Sequence, residues 1–486
     1  MAKKRFDPAK SVYVKKLKST HGQPTFTGYR PLPAALRCDI GDAVGEIFDF
    51  YGGAALLKSS GDVYIKPNAV DAKPYAYTRP EVLEAVIRYW KDAGARSIYV
   101  FENSTVCNYT RLVFECTGYR ALCRRLGAVP IYLDEEKTVE ATFSGKASVM
   151  ESPGGYDRTG FRMSKTVAEK LIARKEENLY INLPKLKTHS MGVVTLGIKN
   201  QWAFPRHADR GHDHNYNLHS KLVDVLGIVR PDFTLIEGVE GSIYGHYNAL
   251  ALADLCVRPF RVMIGSPNVV AADIVGARVF GYDVKDVPHL ALAVKRGLGG
   301  GIRRLADIEV RGDIWDARKI DLIGDLKSFG GNYPFDLYPE FPSDVRIVRG
   351  KELACREGCV NNPLAVLQTL AKDYGGRGGW TLVMGKGFDR REIDAINGPA
   401  LVAGHCAIEE VSEGLIRRLG RRRVYLSGTC NDLRATTESM CHLMKVNPMR
   451  LAPMNPLKSL RALVMARIHR SQGMLVNPLS HIIKFR

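Results

Sequence analysis

The feature that most constrains the fold is an alternation of short apolar segments with amphipathic helical patterns. Strands are predicted at 62–65, 97–101, 129–133, 179–183 and 233–236, and helices at 80–94 and 114–126. Strands that alternate with helices in this way favour a mostly parallel sheet with helices on both of its faces. The predicted fold class is therefore α/β.

The same alternation restarts late in the chain, after a less regular stretch rich in Asp, Gly and Pro. Strands are predicted there at 381–384, 400–402 and 424–426, with a helix at 408–419. At 486 residues the chain has room for two or three domains of ordinary size. The predicted organisation is a basic lead-in (1–59), an α/β domain (60–305), a connection (306–345), a smaller cysteine-containing α/β unit (346–445) and a basic tail (446–486).

Positive charge is concentrated at the two ends of the chain. The net charge is +19, of which residues 1–20 carry +6 and residues 446–486 carry +7. The body therefore lacks the basic surface of a specific nucleic-acid-binding protein. The ends are either solvated or bind phosphate groups, on RNA or on anionic lipid.

The tail also has a helical apolar pattern. Leu457, Leu460, Val464 and Ile468 recur at helical spacing, and the basic residues that flank them are Lys458, Arg461, Arg467 and Arg470. Such a basic amphipathic helix can lie on an anionic membrane surface or pack on its own domain. With no 18-residue apolar run and no apolar segment after the basic residues 1–10, we expect a cytoplasmic protein, soluble or peripheral to a membrane.

Polar side chains follow the predicted strands directly. In open parallel sheets, ligands bind beyond the carboxyl ends of the strands, so these side chains are the candidate site. The predicted catalytic residues are Lys185, Lys187, His189, Lys199, Asn200 and Glu102. The predicted substrate-binding residues are Lys66, Asn68, Asn103, Arg206 and Glu237.

The densest polar stretch is 183–219, and it is open to two interpretations. His207, His212, His214 and His219 fall within 13 residues, which is compatible with a metal site or with a histidine-rich surface loop. Lys185, Lys187, Lys199 and Arg206 could equally hold the phosphate or carboxylate of a small anionic molecule.

The ten cysteines lack paired spacing, which indicates a reducing compartment with thiols or metal ligands rather than disulfides. Cys406 and Cys430 follow neighbouring predicted strands, and Cys355 and Cys359 precede a predicted helix. Four thiolates at one edge could hold an Fe–S cluster or zinc; otherwise they are unrelated thiols.

The chain resembles the uncharacterised domain-of-unknown-function family 362. The resemblance rests on Lys66-Pro67-Asn68, Tyr77-Thr78-Arg79-Pro80-Glu81, the segment 184–189 (PKLKTH), Lys199-Asn200 and the segment around Asp273, and it covers roughly residues 60–305. This chain departs from the family's pattern at Asn268 and Glu237, where family members often have Asp. The cysteine-rich ferredoxin-like insert of some Fe–S-containing relatives is absent. The resemblance implies a fold and a site, not a reaction.

A fainter likeness is to the N-terminal domain of lactate racemase. Thr78-Arg79-Pro80 and the run from His189 to Gly197-Ile198-Lys199 are similar to segments of that family. The likeness implies a lysine-tethered nickel cofactor, although the double glycine that precedes the lysine in that family is not present here. A lysine that forms a covalent link and a histidine that moves a proton would suit epimerisation.

Together these patterns predict a metal- or Fe–S-dependent enzyme that acts on a small anionic substrate, by redox or isomerase-type chemistry. The alternative is a non-catalytic binding protein that its basic termini attach to RNA or to an anionic membrane.

Overall fold

The computed structural model describes residues 6–19, 29, 31–142, 160–210, 218–313, 335, 341–428, 432–451 and 456–484. They form two α/β units. The strands of the larger unit are β1 (Ser11–Lys16), β2 (Asp62–Pro67), β3 (Ser97–Glu102), β4 (Val129–Tyr132), β5 (Thr138–Thr142), β6 (Gly160–Ser164), β7 (Leu179–Leu183), β8 (Thr188–His189), β9 (Val193–Val194), β10 (Phe233–Gly238), β11 (Gly241–Ser242), β12 (Val257–Arg258), β13 (Val262–Ser266) and β14 (Glu309–Gly312).

The helices of the larger unit cover both faces of its sheet. They are α1 (Ala34–Phe50), α2 (Pro80–Asp92), α3 (Thr110–Cys116), α4 (Tyr119–Leu126), α5 (Leu196–Asn200), α6 (Leu218–Ile228), α7 (Ala253–Cys256), α8 (Val269–Arg278) and α9 (Pro288–Lys295). Val63 and Ile65 of β2 pack into the hydrophobic cluster that contains α1, α2 and α4. Tyr64 between them packs into the opposite cluster, with α5, α6 and α8, as the alternation of side chains along a strand requires.

The large sheet has eight strands in the order β14-β1-β13-β10-β7-β2-β3-β4. Strand β13 is antiparallel to both of its neighbours, β1 and β10, and the other pairings are parallel. The predicted α/β class with a mostly parallel sheet is confirmed. Because Ile65 lies opposite both Ile181 of β7 and Val100 of β3, the carboxyl ends of these three strands lie level at one edge.

The structure differs from the predicted elements in two places. The helix predicted at 114–126 is two helices, α3 and α4, because Gly118 between them adopts a left-handed backbone conformation with φ of 78°. Strands β1 and β14 pair with each other at one end of the large sheet, so this sheet takes strands from both sides of the range 60–305.

The smaller unit contains a four-stranded parallel sheet. Its strands are β15 (Arg346–Arg349), β16 (Thr381–Met384), β17 (Ala400–Ala403) and β18 (Val424–Leu426), in that order. The helices of this unit are α10 (Asn362–Tyr374), α11 (Arg390–Asp394), α12 (His405–Leu419) and α13 (Leu433–Met444). One more helix, α14 (Pro456–Ile468), follows the unit. The predicted second, smaller α/β unit is confirmed.

The C-terminal segment returns to the larger unit. Ala462 and Ala466 of α14 are buried against Tyr109 and Leu112 around α3. Beyond α14, the backbone N–H of Gln472 donates to the Asp134 carbonyl at 2.7 Å, and the Ser471 hydroxyl donates to the Asp134 carboxylate. The tail is therefore part of the folded body.

Among the helices of the described ranges, none combines the length and the apolar character needed to cross a lipid bilayer.

Candidate functional site

The centre of the site is a fully buried ion pair at the level edge of β2, β3 and β7. The Lys66 ammonium lies 2.8 Å from the Glu102 carboxylate, and both side chains are 1% exposed. The same carboxylate accepts the backbone N–H groups of Ala69 at 2.8 Å and Asn103 at 2.9 Å. Burial lowers the pKa of Lys66, while Glu102 opposes that shift. A buried pair of this kind is stable only when its hydrogen bonds are complete, as they are for this carboxylate.

Three asparagines tie this pair to the neighbouring strand and helix. The Asn200 side-chain carbonyl accepts Lys66 Nζ at 3.2 Å and Asn68 Nδ2 at 2.8 Å. Its own Nδ2 donates to the side chain of Asn182 at 2.8 Å. Asn68 in turn accepts the ammonium of Lys187 at 2.6 Å. Asn68, Lys187 and Asn200, which the sequence placed together, thus share one network with Lys66 and Glu102.

Asp273 fixes the short helix that carries Lys199 and Asn200. Its two carboxylate oxygens accept the N–H groups of Gly197 at 2.7 Å and Ile198 at 2.8 Å, at the first turn of α5. A side chain at Gly197 would collide with Asp273, since a Cβ there would lie 2.9 Å from its Oδ1. Burial raises the pKa of Asp273 to about 7. The Asp273 and Lys199-Asn200 motifs are therefore parts of one structure.

Lys199 is a partly buried amine in an electropositive environment. Burial, reinforced by the charges of Arg210 and Lys66, lowers its pKa to about 7. Its stem passes across Gly192, where a Cβ would come within 3.0 Å of Lys199 Cδ. The backbone of Lys199 thus belongs to α5, and its side chain lies against the β8–β9 hairpin. At neutral pH this amine exchanges readily between its charged and neutral forms.

His189 lies on the same hairpin. Its Nδ1 accepts the backbone N–H groups of Met191 at 3.1 Å and Gly192 at 3.0 Å. Its ring stacks on that of His246, with centroids 3.8 Å apart and planes 6° from parallel. Because Nδ1 is used as an acceptor, Nε2 carries the proton of the neutral ring. His189 and Lys199 both contact Gly192, so the structure brings these two predicted residues together.

Arg210 is a part of the site that the sequence interpretation missed. Its guanidinium donates to the Asn103 carbonyl at 2.9 Å, the Asn103 side chain at 3.0 Å and the Ser104 carbonyl at 2.6 Å. His207 Nε2 also lies 2.6 Å from the Asn103 side chain. Burial, with repulsion from Arg210, lowers the pKa of His207 to about 3, so this ring is neutral. Because residues 207–219 are rich in histidine, the sequence was interpreted as a possible metal site, and Arg210 was not identified as a site residue.

A second buried charge cluster lies beside the first, and each of its cations is paired with carboxylates. The Lys185 ammonium is 2.8 Å from Glu237 and 3.3 Å from Glu240. Arg79 Nε donates to Glu240 at 2.8 Å, and its backbone N–H donates to Glu237. The two cations come from the Arg79 and Lys185 motifs and the two carboxylates from the end of β10 and the residues after it, so the cluster holds the start of α2 against β10. Lys185 and Glu237, predicted at the site, are thus paired with each other.

The remaining predicted ligands do not form one group. Arg206 is 40% exposed and pairs with Asp209 at 3.2 Å, whereas His219 stacks on His289. His212 and His214 lie outside the described residues. In the described ranges, no three side chains of His, Cys, Asp or Glu are arranged to hold a metal ion.

Three of the four predicted cysteine ligands are neighbours in the smaller unit. The thiols of Cys355 and Cys359 are hydrogen-bonded, and Cys406 is close enough to act electrostatically on Cys359. Together with burial, these neighbours raise the pKa of Cys359. Gly404, in a backbone conformation that favours glycine (φ 93°), brings the start of α12 to Cys359, where a Cβ would lie 3.4 Å from the sulfur. Cys430 lies outside the described residues.

Comparison with known proteins confirms the predicted resemblance. Residues 63–278 match the family model described as "Domain of unknown function (DUF362)", and the site residues from Lys66 to Asp273 fall within this range. The chain is also similar to a thylakoid-associated protein of Synechocystis sp., with 26% identity over 263 residues, which are 51% of this chain and 72% of that protein.

The buried ion pair gives a test of the site's architecture. Glu102→Gln leaves the Lys66 ammonium buried without a counter-charge, so we expect the free energy of unfolding to fall by about 3–5 kcal/mol. The matched control is Glu84→Gln, whose partners Arg88 and Arg125 are each 55% exposed; there we expect a loss below about 1 kcal/mol. Urea denaturation measures both, and equal losses would contradict a dominant role for the Lys66–Glu102 pair.

Proposed function

We propose that the lysine-rich centre at the edge of the large sheet binds a small anionic substrate, on which the chain acts as an enzyme with Lys199 as its proton-transferring group. The observation that carries this proposal is the position of Lys199, a partly buried amine held among other cations. The proposed substrate bears a carboxylate or phosphate.

The imbalance of charge supports an anionic ligand. Lys187 and Lys199 repel one another, Lys66 acts on both, and Arg210 acts on Lys199. Of the carboxylates near this group, Glu102 is already paired with Lys66, and Asp134 acts on Arg210. By contrast, in the neighbouring cluster Lys185 and Arg79 contact three carboxylates, those of Glu237, Glu240 and Glu81. Gathered buried cations are costly unless an anion offsets them, so a bound carboxylate or phosphate would relieve the repulsion.

The state of Lys199 supports proton transfer. With a pKa of about 7, its amine is a base strong enough to take a proton and, once protonated, an acid able to return it. His189, across Gly192 from the lysine, presents a protonated Nε2 when neutral and could supply the second proton-transfer group. A base and an acid on one substrate are the minimum for isomerase-type chemistry.

The proposal predicts tighter anion binding at lower pH. Lys199 is mostly protonated at pH 6 and mostly neutral at pH 8, so the affinity for an anion should be up to about tenfold higher at pH 6. Calorimetric titration with sulfate and with lactate measures this effect, because neither changes its own charge between these pH values.

The matched variants are Lys199→Met and Lys295→Met, the second at an exposed position on α9. We expect Lys199→Met to bind anions weakly and without the pH dependence, and Lys295→Met to behave like the unaltered protein. Persistence of the full pH dependence in Lys199→Met would show that another group controls binding.

A second proposed function is attachment to an anionic membrane surface through α14. The helix turns Ala462 and Ala466 inward, whereas Leu460, Val464 and Ile468 are 58%, 48% and 64% exposed. The predicted apolar face is therefore directed away from the body. Basic side chains flank it, and residues 446–486 contain no acidic residue, which suits anionic lipid. The thylakoid association of the Synechocystis relative supports the same proposal.

Vesicle binding tests this second function. Co-sedimentation with vesicles that contain phosphatidylglycerol should be strong at low salt and weak with pure phosphatidylcholine, since the basic residues select negative charge. Val464→Glu should reduce binding several-fold, because it places a carboxylate on the face that enters the lipid. Val139→Glu, at an exposed valine on β5, is the control. Equal binding of both variants would exclude α14 as the attachment site.

A cofactor is proposed for the smaller unit. Cys355, Cys359 and Cys406 are neighbours but are not arranged to hold a metal ion in this structure, so they would have to rearrange to supply three thiolates, with Cys430 as a fourth, to an Fe–S cluster, which would supply one-electron transfer. We expect anaerobically purified protein to contain iron and sulfide with broad visible absorbance, and Cys359→Ser to lose both. Cys123→Ser, at a buried cysteine of the larger unit, should retain them. Colourless protein with only traces of metal would refute this proposal.

A further inference from the structure

A large cavity lies between the two units, next to the lysine-rich centre but lined by different residues. Its volume is about 730 Å³, within the ~300–1,000 Å³ typical of pockets for small organic molecules. It sits beyond the carboxyl ends of β2 and β3, facing α10, α13 and the C-terminal segment. Parallel sheets commonly bind ligands at this edge.

Most of the cavity wall is apolar. Leu112 after β3, Ala365 and Val366 of α10, and Leu463 of α14 with Leu475 beyond it all line the space. They come from three separate parts of the chain. A wall of this composition favours an aliphatic chain or a ring system over a small charged molecule.

The cavity reaches the protein surface beside the proposed membrane-binding helix. Leu460 and Met449 line the cavity and are also 58% and 59% exposed. Leu460 therefore belongs both to the exposed apolar face of α14 and to the entrance of the cavity. If α14 lies on a membrane, this side of the cavity faces the lipid, so the inference below rests on that second proposed function.

The end of the cavity nearest the sheet is polar. Asp71, Thr105, Asn108 and Asn248 line it. Asp71 is held by the Asn108 side chain and by the N–H of Lys73. Lys73 carries the nearby positive charge, but its ammonium lies 3.7 Å from Asp373 and 3.2 Å from the Thr369 hydroxyl. The polar end thus offers amide and hydroxyl groups beside a carboxylate.

We propose that this cavity binds a membrane-soluble molecule with an apolar chain or ring system and an uncharged hydrogen-bonding head group, such as a hydroxyl or carbonyl, placed toward Asn108 and Asn248. An anionic head group at this end would be repelled by Asp71, because Lys73 is paired with Asp373. Arg450 also lines the cavity, but it is exposed and donates to the Tyr374 carbonyl at 3.3 Å. The inference goes beyond the anion site, since it uses none of the lysine network.

Displacement of the neutral dye Nile red tests the proposal in the full chain. The dye should become fluorescent on binding, and 1-dodecanol should displace it at a concentration at least about fivefold lower than dodecanoate, whose carboxylate would be buried near Asp71. Equal or better displacement by dodecanoate would overturn the uncharged head group. Failure of dodecanol to displace the dye would overturn the site.

Variants separate the cavity from the other proposals. Ala365→Phe and Leu463→Trp fill the cavity from two different helices, α10 and α14, so either one, if folded by circular dichroism, should weaken dye binding at least about tenfold. Sulfate binding should stay unchanged in both. The control is Ile468→Glu, on the exposed face of α14 but outside the cavity lining, which should bind vesicles weakly and the dye normally. Normal dye binding by both filled variants would place the dye elsewhere and refute the proposal.

Discussion

The site depends on keeping a lysine charge stable where almost no water reaches it. Lys66 and Glu102 are each 1% exposed, and a buried charge persists only when its partner and its hydrogen bonds are complete. The Glu102 carboxylate meets this condition by accepting Lys66 together with the N–H groups of Ala69 and Asn103. Those two N–H groups begin the loops after β2 and β3, so the ion pair also fixes the backbone around the site.

Two buried charge clusters share this edge and differ in their balance. In one, Lys185 and Arg79 meet Glu237 and Glu240, so each cation has a carboxylate and the cluster serves to hold α2 against the sheet. In the other, Lys187 and Lys199 are held near Lys66 and Arg210 with fewer carboxylates among the described residues. The same residue types therefore hold α2 against the sheet in one cluster and form the proposed anion site in the other.

This edge could be predicted from the sequence because residues that directly follow parallel strands lie at the same edge of the sheet. Lys66, Asn68 and Glu102 follow predicted strands, and the register of β2, β3 and β7 brings them together. Arg210 could not be found in this way, since it lies in a short helical segment (207–210) whose approach to Asn103 depends on tertiary packing. Asn182 could have been suspected as a site residue from the sequence, because it is a polar amide within the otherwise apolar strand β7. The break at Gly118 was missed because the flanking residues continue the helical pattern on both sides.

The link between Asp134 and the C-terminal segment has a consequence for how the protein is made. Ser471 and Gln472 bind Asp134, and the Gln472 backbone also contacts His207 beside Arg210. A ribosome adds these residues about 160 positions after β14, the last strand of the larger unit, so that unit waits through about a third of translation with this side uncovered. During that interval the nascent chain exposes apolar surface around α3 that Ala462 and Ala466 later cover, and it is then that assistance from chaperones would matter most.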